Sequence, residues 1–343
     1  HIRQIIPFIR LTRHEIKCPE ERPMPIQIVE TNFFAPKPVE TAEDLSPRVG
    51  KSAAWIIEKT GVAKRHVSDM PLEKMSATVC KPLIEKQGTP DLLINASLSP
   101  RQLIPDTSVF VMNELGLSGI PSFTVNSTCI SFLVALHTAN ALLENGSYNQ
   151  ILIVSSEMGS VSRNFEEPES AVLIGDGAGA AVVTRTPDGQ TSRVIGCRTA
   201  TFPDGRHMAE LRGCGTFRHP NNPQTAPEDN LFHMKGPSLY RFTVRRVAVL
   251  VKRLLRDSDL TPSDIDWVVP HQASGPALSA ISRFGFSQDR IINIVGEYGN
   301  CIAASIPMAL AHANQQGQLQ RGQKILLLGT AAGLSIGGMV LEW

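Results

Sequence analysis

Cys129 has the chemistry and the setting of a covalent nucleophile. It follows a strand-like apolar run at residues 120–125 and opens a helix-like segment that continues to Glu144. A thiol at a helix N-terminus lies at the positive end of the helix dipole, which favours the thiolate over the thiol. The sequence therefore predicts a lowered pKa for Cys129 and a role in attack on a carbonyl carbon.

Two later polar residues could assist this nucleophile. His271 stands at the end of a predicted strand, and Asn300 precedes a predicted helix. Their N–H groups can stabilise negative charge that develops on a carbonyl oxygen. Taken singly, His271 is also typical of a structural hydrogen-bonding residue and Asn300 of a helix cap. Together with Cys129 they predict acyl transfer through a covalent intermediate.

Strand-like and helix-like segments alternate along the chain and must position these side chains. The predicted strands cover residues 91–96, 122–125, 150–156, 179–185, 266–270, 324–329 and 336–342. The predicted helices cover residues 105–115, 129–144, 236–256, 275–284 and 304–315. This alternation predicts an α/β fold with mainly parallel sheets that are covered on both faces.

A repeated register predicts that the fold is duplicated. The segment ALHTAN at residues 135–140 is similar to ALAHAN at residues 309–314, which lies 174 positions later. At the same spacing Asn126 corresponds to Asn300, and Cys129 corresponds to Ala303. We therefore expect two halves, residues 25–185 and 186–343, after an N-terminal extension (1–24) of unknown role. Two helix N-termini that meet at a common centre could aim several backbone N–H groups at one oxygen.

Composition and charge exclude several classes of protein. The formal net charge is +1, from 33 basic and 32 acidic residues, without a block of like charge. Nucleic acid and membrane surfaces are therefore poor candidate partners. With 42% apolar residues, a chain of 343 residues can bury a large core. Its longest apolar runs are too short to span a bilayer.

The remaining reactive residue types predict structural roles. The six cysteines are scattered, without a CxxC pair or a His/Cys cluster at metal spacing, which predicts reduced thiols in the cytoplasm and no metal site. Cysteines other than Cys129 are expected in the core, and Glu157 is expected to be structural. The glycine-rich run at residues 175–179 lacks the spacing of a phosphate loop and predicts tight backbone packing beneath Cys129.

Several segments together resemble a known family. They are WIIEKTGVAKRH at residues 55–66, GDGAGAA at residues 175–181, and the segments around His271 and Asn300. In these segments the chain is similar to the β-ketoacyl-acyl-carrier-protein synthase III family of the thiolase fold, over residues 26–343. The resemblance implies a five-layered αβαβα fold from two duplicated halves and a homodimer. The continuously apolar residues 122–125 also favour a strand that is covered on both faces, as in such a dimer.

The resemblance implies an acyltransferase that uses no cofactor and takes coenzyme A thioesters as substrates. Cys129 would be acylated from an acyl-CoA, and His271 and Asn300 would support decarboxylation of malonyl-acyl-carrier protein or malonyl-CoA. The backbone N–H groups of Cys129 and Ala332 would form an oxyanion hole. The substrate-binding positions implied by the family are Trp55, Lys59, Gly236, Tyr240 and Ser274.

Several positions depart from the family pattern, among them Pro168, which stands where a basic residue is common before the glycine-rich run. Ser274-Gly275-Pro276 stands where the family often has Asn-Leu-Arg, and Lys59 where an arginine is usual. Ala331-Ala332-Gly333 replaces a glycine triplet whose backbone contributes to the oxyanion hole. The added methyl groups narrow the site unless the local φ is negative.

Two other functions remain open at this level. A transferase of this fold could pass the acyl group to an oxygen or nitrogen acceptor without decarboxylation, with His271 as general base. The chain could instead be a non-catalytic partner subunit. The intact set of Cys129, His271 and Asn300 argues against the second alternative, because a scaffold needs no nucleophile at a helix N-terminus.

Overall fold

The computed structural model of the protein describes residues 25–343, so the proposed extension at 1–24 lies outside the described residues. The strands are β1 (Ile26–Phe34), β2 (Val39–Thr41), β3 (Lys64–His66), β4 (Leu92–Asn95), β5 (Ser122–Thr124), β6 (Gln150–Met158), β7 (Asp176–Arg185), β8 (Arg193–Thr201), β9 (Ala209–Glu210), β10 (His233–Met234), β11 (Trp267–Pro270), β12 (Lys324–Ala331) and β13 (Ser335–Glu342). The helices are α1 (Ala42–Val49), α2 (Ala53–Thr60), α3 (Leu72–Gln87), α4 (Thr107–Leu115), α5 (Ser131–Glu144), α6 (Pro168–Ala171), α7 (Gly236–Asp257), α8 (Gly275–Ser279), α9 (Val295–Tyr298) and α10 (Ser305–Gln315).

Two mixed sheets form the frame of the molecule. The first has the strand order β1-β7-β6-β4-β5 and the second has the order β11-β12-β13-β8. β4 runs parallel to β5 and β6, and β11 runs parallel to β12, whereas β7 and β13 are antiparallel to both of their neighbours. The expectation of mainly parallel sheets is therefore wrong. The three residues between β12 and β13 are too few for the crossover that a parallel pair requires.

The helices pack as three layers around the two sheets. α5 and α10 lie between the sheets and contribute much of the largest apolar cluster in the described part of the chain. α3 covers the outer face of the first sheet, and α7 covers the outer face of the second. Along α7 the buried residues Val247, Leu250, Val251 and Leu254 follow the helical spacing of an amphipathic face. This layering is the predicted αβαβα fold.

The repeated register of the sequence is also present in the structure. α5 begins at Ser131 and α10 at Ser305, and β6 begins at Gln150 and β12 at Lys324. Both pairs are 174 positions apart, so a helix and the strand after it recur at one spacing. The fold thus consists of two duplicated halves. The boundary between residues 185 and 186 stays a proposal, and it falls between the ends of β7 and β8.

β5 differs from its prediction. It is the edge strand of the first sheet, and its residue Phe123 is 36% exposed. The apolar run was expected to be covered on both faces, and within one chain it is not. An edge strand of this kind leaves backbone N–H and C=O groups available for pairing.

Candidate active site

Cys129 lies in a sharp elbow between β5 and α5. The side-chain Oδ1 of Asn126 accepts a 2.9 Å hydrogen bond from the backbone N–H of Thr128. Thr128 has a φ of 50°, a left-handed conformation that is rare for a β-branched residue. α5 then begins at Ser131, so the helix starts two residues later than predicted. The elbow turns the chain so that Cys129 stands just ahead of the buried helix.

The thiol of Cys129 does not have the lowered pKa that the sequence predicted. Burial raises the pKa of this thiol to about 12, and the nearby carboxylate of Glu157 acts in the same direction. Hydrogen bonds from the backbone N–H groups of Ala332 and of Cys129 itself lower the pKa, but by less. Desolvation of the sulfur therefore outweighs the helix end. At neutral pH, Cys129 is therefore a thiol.

A second elbow with the same geometry precedes α10. Oδ1 of Asn300 accepts a 2.9 Å hydrogen bond from the backbone N–H of Ile302, whose φ is 48°. Asn300 and Ile302 correspond to Asn126 and Thr128 at the spacing of 174. Sequence reasoning missed both elbows, although the repeated asparagine was their signal. Each half of the fold thus supplies one elbow to the centre of the molecule.

The backbone around Asn300 is held by the first half of the chain. Its N–H donates to the Leu173 carbonyl at 2.8 Å, and its carbonyl accepts from the Gly175 N–H at 3.1 Å. The side-chain Nδ2 makes a long contact of 3.4 Å to the carbonyl of Ala273, two residues after His271. Asn300 is therefore fixed through its backbone and its Oδ1, while its Nδ2 is only weakly engaged.

His271 follows the end of β11, as predicted, and is 6% exposed. Its backbone N–H donates to the Leu328 carbonyl at 2.8 Å, which ties it to β12. Burial lowers the pKa of His271 to about 4, and a hydrogen bond with the backbone of Ile302 acts in the opposite direction. His271 is therefore neutral at pH 7 and contacts the second elbow directly. Within residues 25–343, its Nδ1 has no hydrogen-bond partner.

Ala332, the other residue predicted for the oxyanion hole, lies beside the first elbow. Its backbone N–H approaches the sulfur of Cys129, and its carbonyl accepts from the Thr128 hydroxyl at 3.4 Å. The left-handed residues of this segment are Gly333 (φ 77°) and Leu334 (φ 59°), not the alanines. The methyl groups of Ala331 and Ala332 thus impose no backbone strain. The N–H groups of Cys129 and Ala332 meet at one sulfur atom.

The glycine-rich run at residues 175–179 packs against the second elbow and α10. A Cβ atom at Gly175 would lie 2.5 Å from the Tyr298 carbonyl oxygen, and one at Gly179 would lie 2.7 Å from the backbone nitrogen of Met308. The prediction of tight backbone packing is confirmed. The contacts reach the Asn300 segment, however, rather than the space beneath Cys129.

Trp55 and Lys59 lie on α2, where Trp55 is half-buried and Lys59 is exposed. Gly61 caps the end of α2, and a Cβ atom at its position would lie 2.7 Å from the Cα of Gly275. This close approach places α2 beside α8. Ser274 caps α8 by accepting a 3.3 Å hydrogen bond from the Ala277 N–H, so its hydroxyl has a structural partner.

Tyr240 lies one turn into α7, whose first residue is Gly236. It borders a cavity of about 80 Å³ between α7, α8 and the ends of β11 and β12. The cavity is also lined by His271 and Ala273. The structure therefore brings Tyr240 and His271 together, whereas Trp55 and Lys59 do not line this space.

The sequence of the chain matches a known enzyme family. The family described as 3-oxoacyl-[acyl-carrier-protein (ACP)] synthase III matches residues 123–202. The family described as the C terminal of the same synthase matches residues 255–343. A β-ketoacyl-[acyl-carrier-protein] synthase III of Clostridium acetobutylicum is 30% identical over 324 residues, covering 93% of this chain and 98% of that protein. The chain belongs to the β-ketoacyl-[acyl-carrier-protein] synthase III family.

Two further relatives of this synthase III homologue support the assignment. The β-ketoacyl-[acyl-carrier-protein] synthase III 2 of Deinococcus radiodurans is 33% identical over 329 residues, covering 93% of this chain and 94% of that protein. The crystal structure of the Aquifex aeolicus VF5 synthase III superposes with a TM-score of 0.84 at 27% identity, covering 93% of this chain and 100% of the other. The protein is therefore an enzyme with the thiolase fold, a condensing acyltransferase of fatty-acid synthesis.

Three further features of the synthase III homologue concern disulfides, metal-binding clusters and membrane-spanning helices among the described residues. No disulfide joins the five cysteines between residues 25 and 343, and Cys18 lies outside that range. In the described part of the chain, no group of three or more His, Cys, Asp or Glu side chains is placed to hold a metal ion. No helix among these residues is long and apolar enough to cross a membrane.

Proposed function

We propose that this synthase III homologue transfers an acyl group from acyl-CoA to Cys129 and condenses it with a malonyl thioester, releasing carbon dioxide and a β-ketoacyl product. The observation that carries the proposal is the pair of equivalent elbows, one holding Cys129 and the other contacting His271 through Ile302. The first elbow presents the Cys129 thiol, whose sulfur accepts from its own backbone N–H and from that of Ala332 in the β12–β13 connection. The other presents the Asn300 amide beside a neutral histidine.

In the loading step, the Cys129 sulfur forms a bond to the acyl carbonyl carbon and coenzyme A leaves as a thiol. A thiol with a pKa near 12 must lose its proton as the bond forms, and neutral His271 can accept a proton. The N–H groups of Cys129 and Ala332 would stabilise the oxyanion of the tetrahedral intermediate.

In the condensing step, the bond between the malonyl carboxylate carbon and the α-carbon breaks, and its electron pair forms an enolate. Donors from His271 and Asn300 would stabilise the enolate oxygen. The α-carbon then attacks the thioester on Cys129, and the sulfur leaves and regains a proton. Loss of carbon dioxide makes the carbon–carbon bond formation effectively irreversible.

The substrate path proposed from the family pattern leads from α2 to the cavity beside His271. Trp55 and Lys59 would contact the nucleotide end of coenzyme A, and Ser274, Gly236 and Tyr240 the arm that carries the thioester. The malonyl donor is malonyl-acyl-carrier protein or malonyl-CoA, and no cofactor takes part. Cysteines without a disulfide between residues 25 and 343 fit a reaction in the cytoplasm. The exposed edge of β5 supports a homodimer.

Intact mass spectrometry with a panel of acyl-CoAs tests the loading step. We expect one acyl adduct in the wild type and in the matched control Cys301→Ala, and none in Cys129→Ala. Cys301 suits the control because it is a buried thiol within the second elbow. An adduct that persists in Cys129→Ala would overturn the assignment. Acylation of alcohols or amines without carbon dioxide release from any malonyl donor would replace condensation by simple transfer.

A further inference from the structure

His233 lies on β10, and both nitrogens of its ring face oxygen atoms that accept hydrogen bonds. Nδ1 lies 2.8 Å from carboxylate Oε1 of Glu167, the residue immediately before α6. Nε2 lies 3.1 Å from the backbone carbonyl oxygen of Glu228, in a 3₁₀ turn at Pro227–Asn230. A neutral imidazole carries one N–H and can donate to only one of these oxygens. Both contacts are hydrogen bonds only when His233 is an imidazolium.

The groups that surround His233 favour its charged form. The carboxylate of Glu167 raises the pKa of His233 above its ordinary value, and the carbonyl on the other side of the ring acts in the same direction. Partial burial and the charge of Arg212 oppose this rise in the pKa. Arg212 is itself paired with the buried carboxylate of Asp229 at 3.2 Å. The amide nitrogen of Asn164 lies 3.4 Å from Nδ1, beyond the usual length of a hydrogen bond.

The carboxylate of Glu167 also holds the chain just before α7. Its Oε2 accepts a 2.9 Å hydrogen bond from the N–H of Met234, two residues before Gly236 opens the helix. Within the described residues, no side chain caps the first turn of α7. A Cβ atom at Gly236 would lie 3.7 Å from Oε2 of Glu169 on α6. Two carboxylates therefore lie near the N-terminus of α7, where negative charge stabilises a helix.

We infer that His233, as an imidazolium, is a positioning residue that joins Glu167 to the 3₁₀ turn and thereby fixes the first turn of α7. When the ring loses its proton, one of the two contacts is lost, because one donor then faces two acceptors. The start of α7 is therefore held most firmly while the ring is charged, and it loosens as the pH rises through the pKa of His233.

The first turns of α7 belong to the proposed substrate path. Gly236 and Tyr240 are proposed contacts of the arm of coenzyme A, so affinity for coenzyme A should fall as the ring loses its proton. This consequence rests on the proposed function. The titration of His233 and the hold on α7 do not depend on it.

NMR of protein labelled with ¹³C at histidine Cε1 measures the titration, and the His233 signal is the one that is absent from His233→Gln. The wild-type midpoint should lie above the ordinary value of 6.5. Glu167→Gln should lower it, because the charge is lost while an oxygen remains for the Met234 N–H. The control is His207, which bonds to Glu210 at 2.8 Å and should titrate equally in both proteins. A His233 midpoint that Glu167→Gln leaves unchanged would overturn the inference.

Hydrogen exchange at the Met234 N–H, divided by its intrinsic rate at each pH, measures the hold on α7. Protection in the wild type should fall by about tenfold between pH 6 and pH 9, because a hydrogen bond of a charged group is lost. His233→Gln should have low protection at both pH values, and His207→Gln should follow the wild type. An equal fall in His233→Gln would show that the pH acts elsewhere, and would contradict the inference.

Calorimetric titration of coenzyme A into the same three proteins tests the effect on the substrate path. The affinity of the wild type, relative to His233→Gln, should fall by about threefold or more between pH 6 and pH 9. A ratio that is the same at both pH values would refute this effect. Absence of binding in every protein would contradict the proposed function, and the titration and the exchange would still decide the role of His233.

Discussion

The side-chain oxygen of Asn300 accepts a 2.9 Å hydrogen bond from the backbone N–H of Ile302, two residues further along the chain. Rotating the amide by 180° would place its NH₂ group against that N–H. The contact therefore fixes the amide with its oxygen towards the Ile302 N–H, and it leaves Nδ2 as the donor available to a substrate. Because Ile302 also bonds to His271, the two residues proposed to support decarboxylation share one elbow.

Asn300→Asp should separate the donor function of this residue from its structural one. An aspartate keeps an oxygen that accepts from Ile302 but has no N–H to donate. We expect acyl loading from acyl-CoA to persist, and carbon dioxide release from a carboxyl-labelled malonyl thioester to fall by about 10²–10³-fold. Asn126→Asp is the matched control, because it makes the same change in the first elbow. Equal losses in both variants would show that the elbows, not the donor, matter.

The lowered pKa of His271 predicts two forms of pH dependence. In the unfolded chain His271 has its ordinary pKa near 6.5, and in the fold the pKa is about 4. Between these values the unfolded state binds more protons, so stability from this residue is complete above pH 6.5 and is lost as the pH falls. In urea unfolding, the wild type should lose about 2 kcal/mol more than His271→Asn between pH 7.5 and pH 5.

Activity should report the same neutral histidine. The rate of carbon dioxide release, measured against pH, is expected to have no inflection near pH 6.5 that comes from His271, because the ring is already neutral at that pH. Any inflection there should therefore be present in the wild type and in His271→Asn alike. An inflection at that pH that is lost in the variant would contradict the assigned protonation state.

The close packing of the glycine-rich run predicts a sharp difference between two glycine substitutions. A Cβ atom at Gly179 would lie within 2.8 Å of backbone atoms of Pro307 and Met308, which cannot swing away as a side-chain end can. Gly179→Ala is expected to lower the free energy of unfolding by about 1–3 kcal/mol in urea titrations. Gly215→Ala, where nothing lies within 4 Å, should leave it almost unchanged. Similar effects in the two variants would refute the packing argument.

The exposed edge of β5 predicts association of two copies. We expect light scattering to give a mass near twice the chain mass of 37.3 kDa. Phe123→Lys should shift the mass towards the monomer, because a charge on an edge strand opposes pairing. Val249→Lys on α7, at a residue that is 51% exposed, is the control and should leave the mass unchanged. A monomeric wild type in dilute solution would rule out the homodimer.

The sequence predicts most long elements of the second half well, with β8 as the exception, and the first quarter poorly. The amphipathic pattern of α7 predicted residues 236–256, and the helix spans Gly236–Asp257. β1, α3 and β8 were not predicted. In β8 the burial alternates only partly, and its arginine and threonine residues carry a weak local signal. Such a strand is defined by its pairing with β13, which no local pattern contains.

In the site, as in the fold, the sequence predicts features with a local signal and misses features that depend on tertiary structure. Motifs predicted Cys129, His271 and Asn300, and the structure brings their segments together. The elbows were missed because Thr128 and Ile302 are β-branched, a residue type that seldom adopts positive φ. The pKa of Cys129 was predicted in the wrong direction because burial of the sulfur depends on both halves of the fold. The position of Cys129 before a helix does not reveal how deeply its sulfur is buried.

The backbone pairing of Asn300 with Leu173 and Gly175 also bears on how such an enzyme can diversify. Drift in the loop before β7 would shift the side-chain amide of Asn300 although Asn300 itself stays the same. Under the proposed function, such drift would alter turnover of the malonyl donor, and screens for new donor preference would recover second-site changes in that loop. If the two halves were encoded by separate genes, neither product would hold the Asn300 amide in place until it had bound the other.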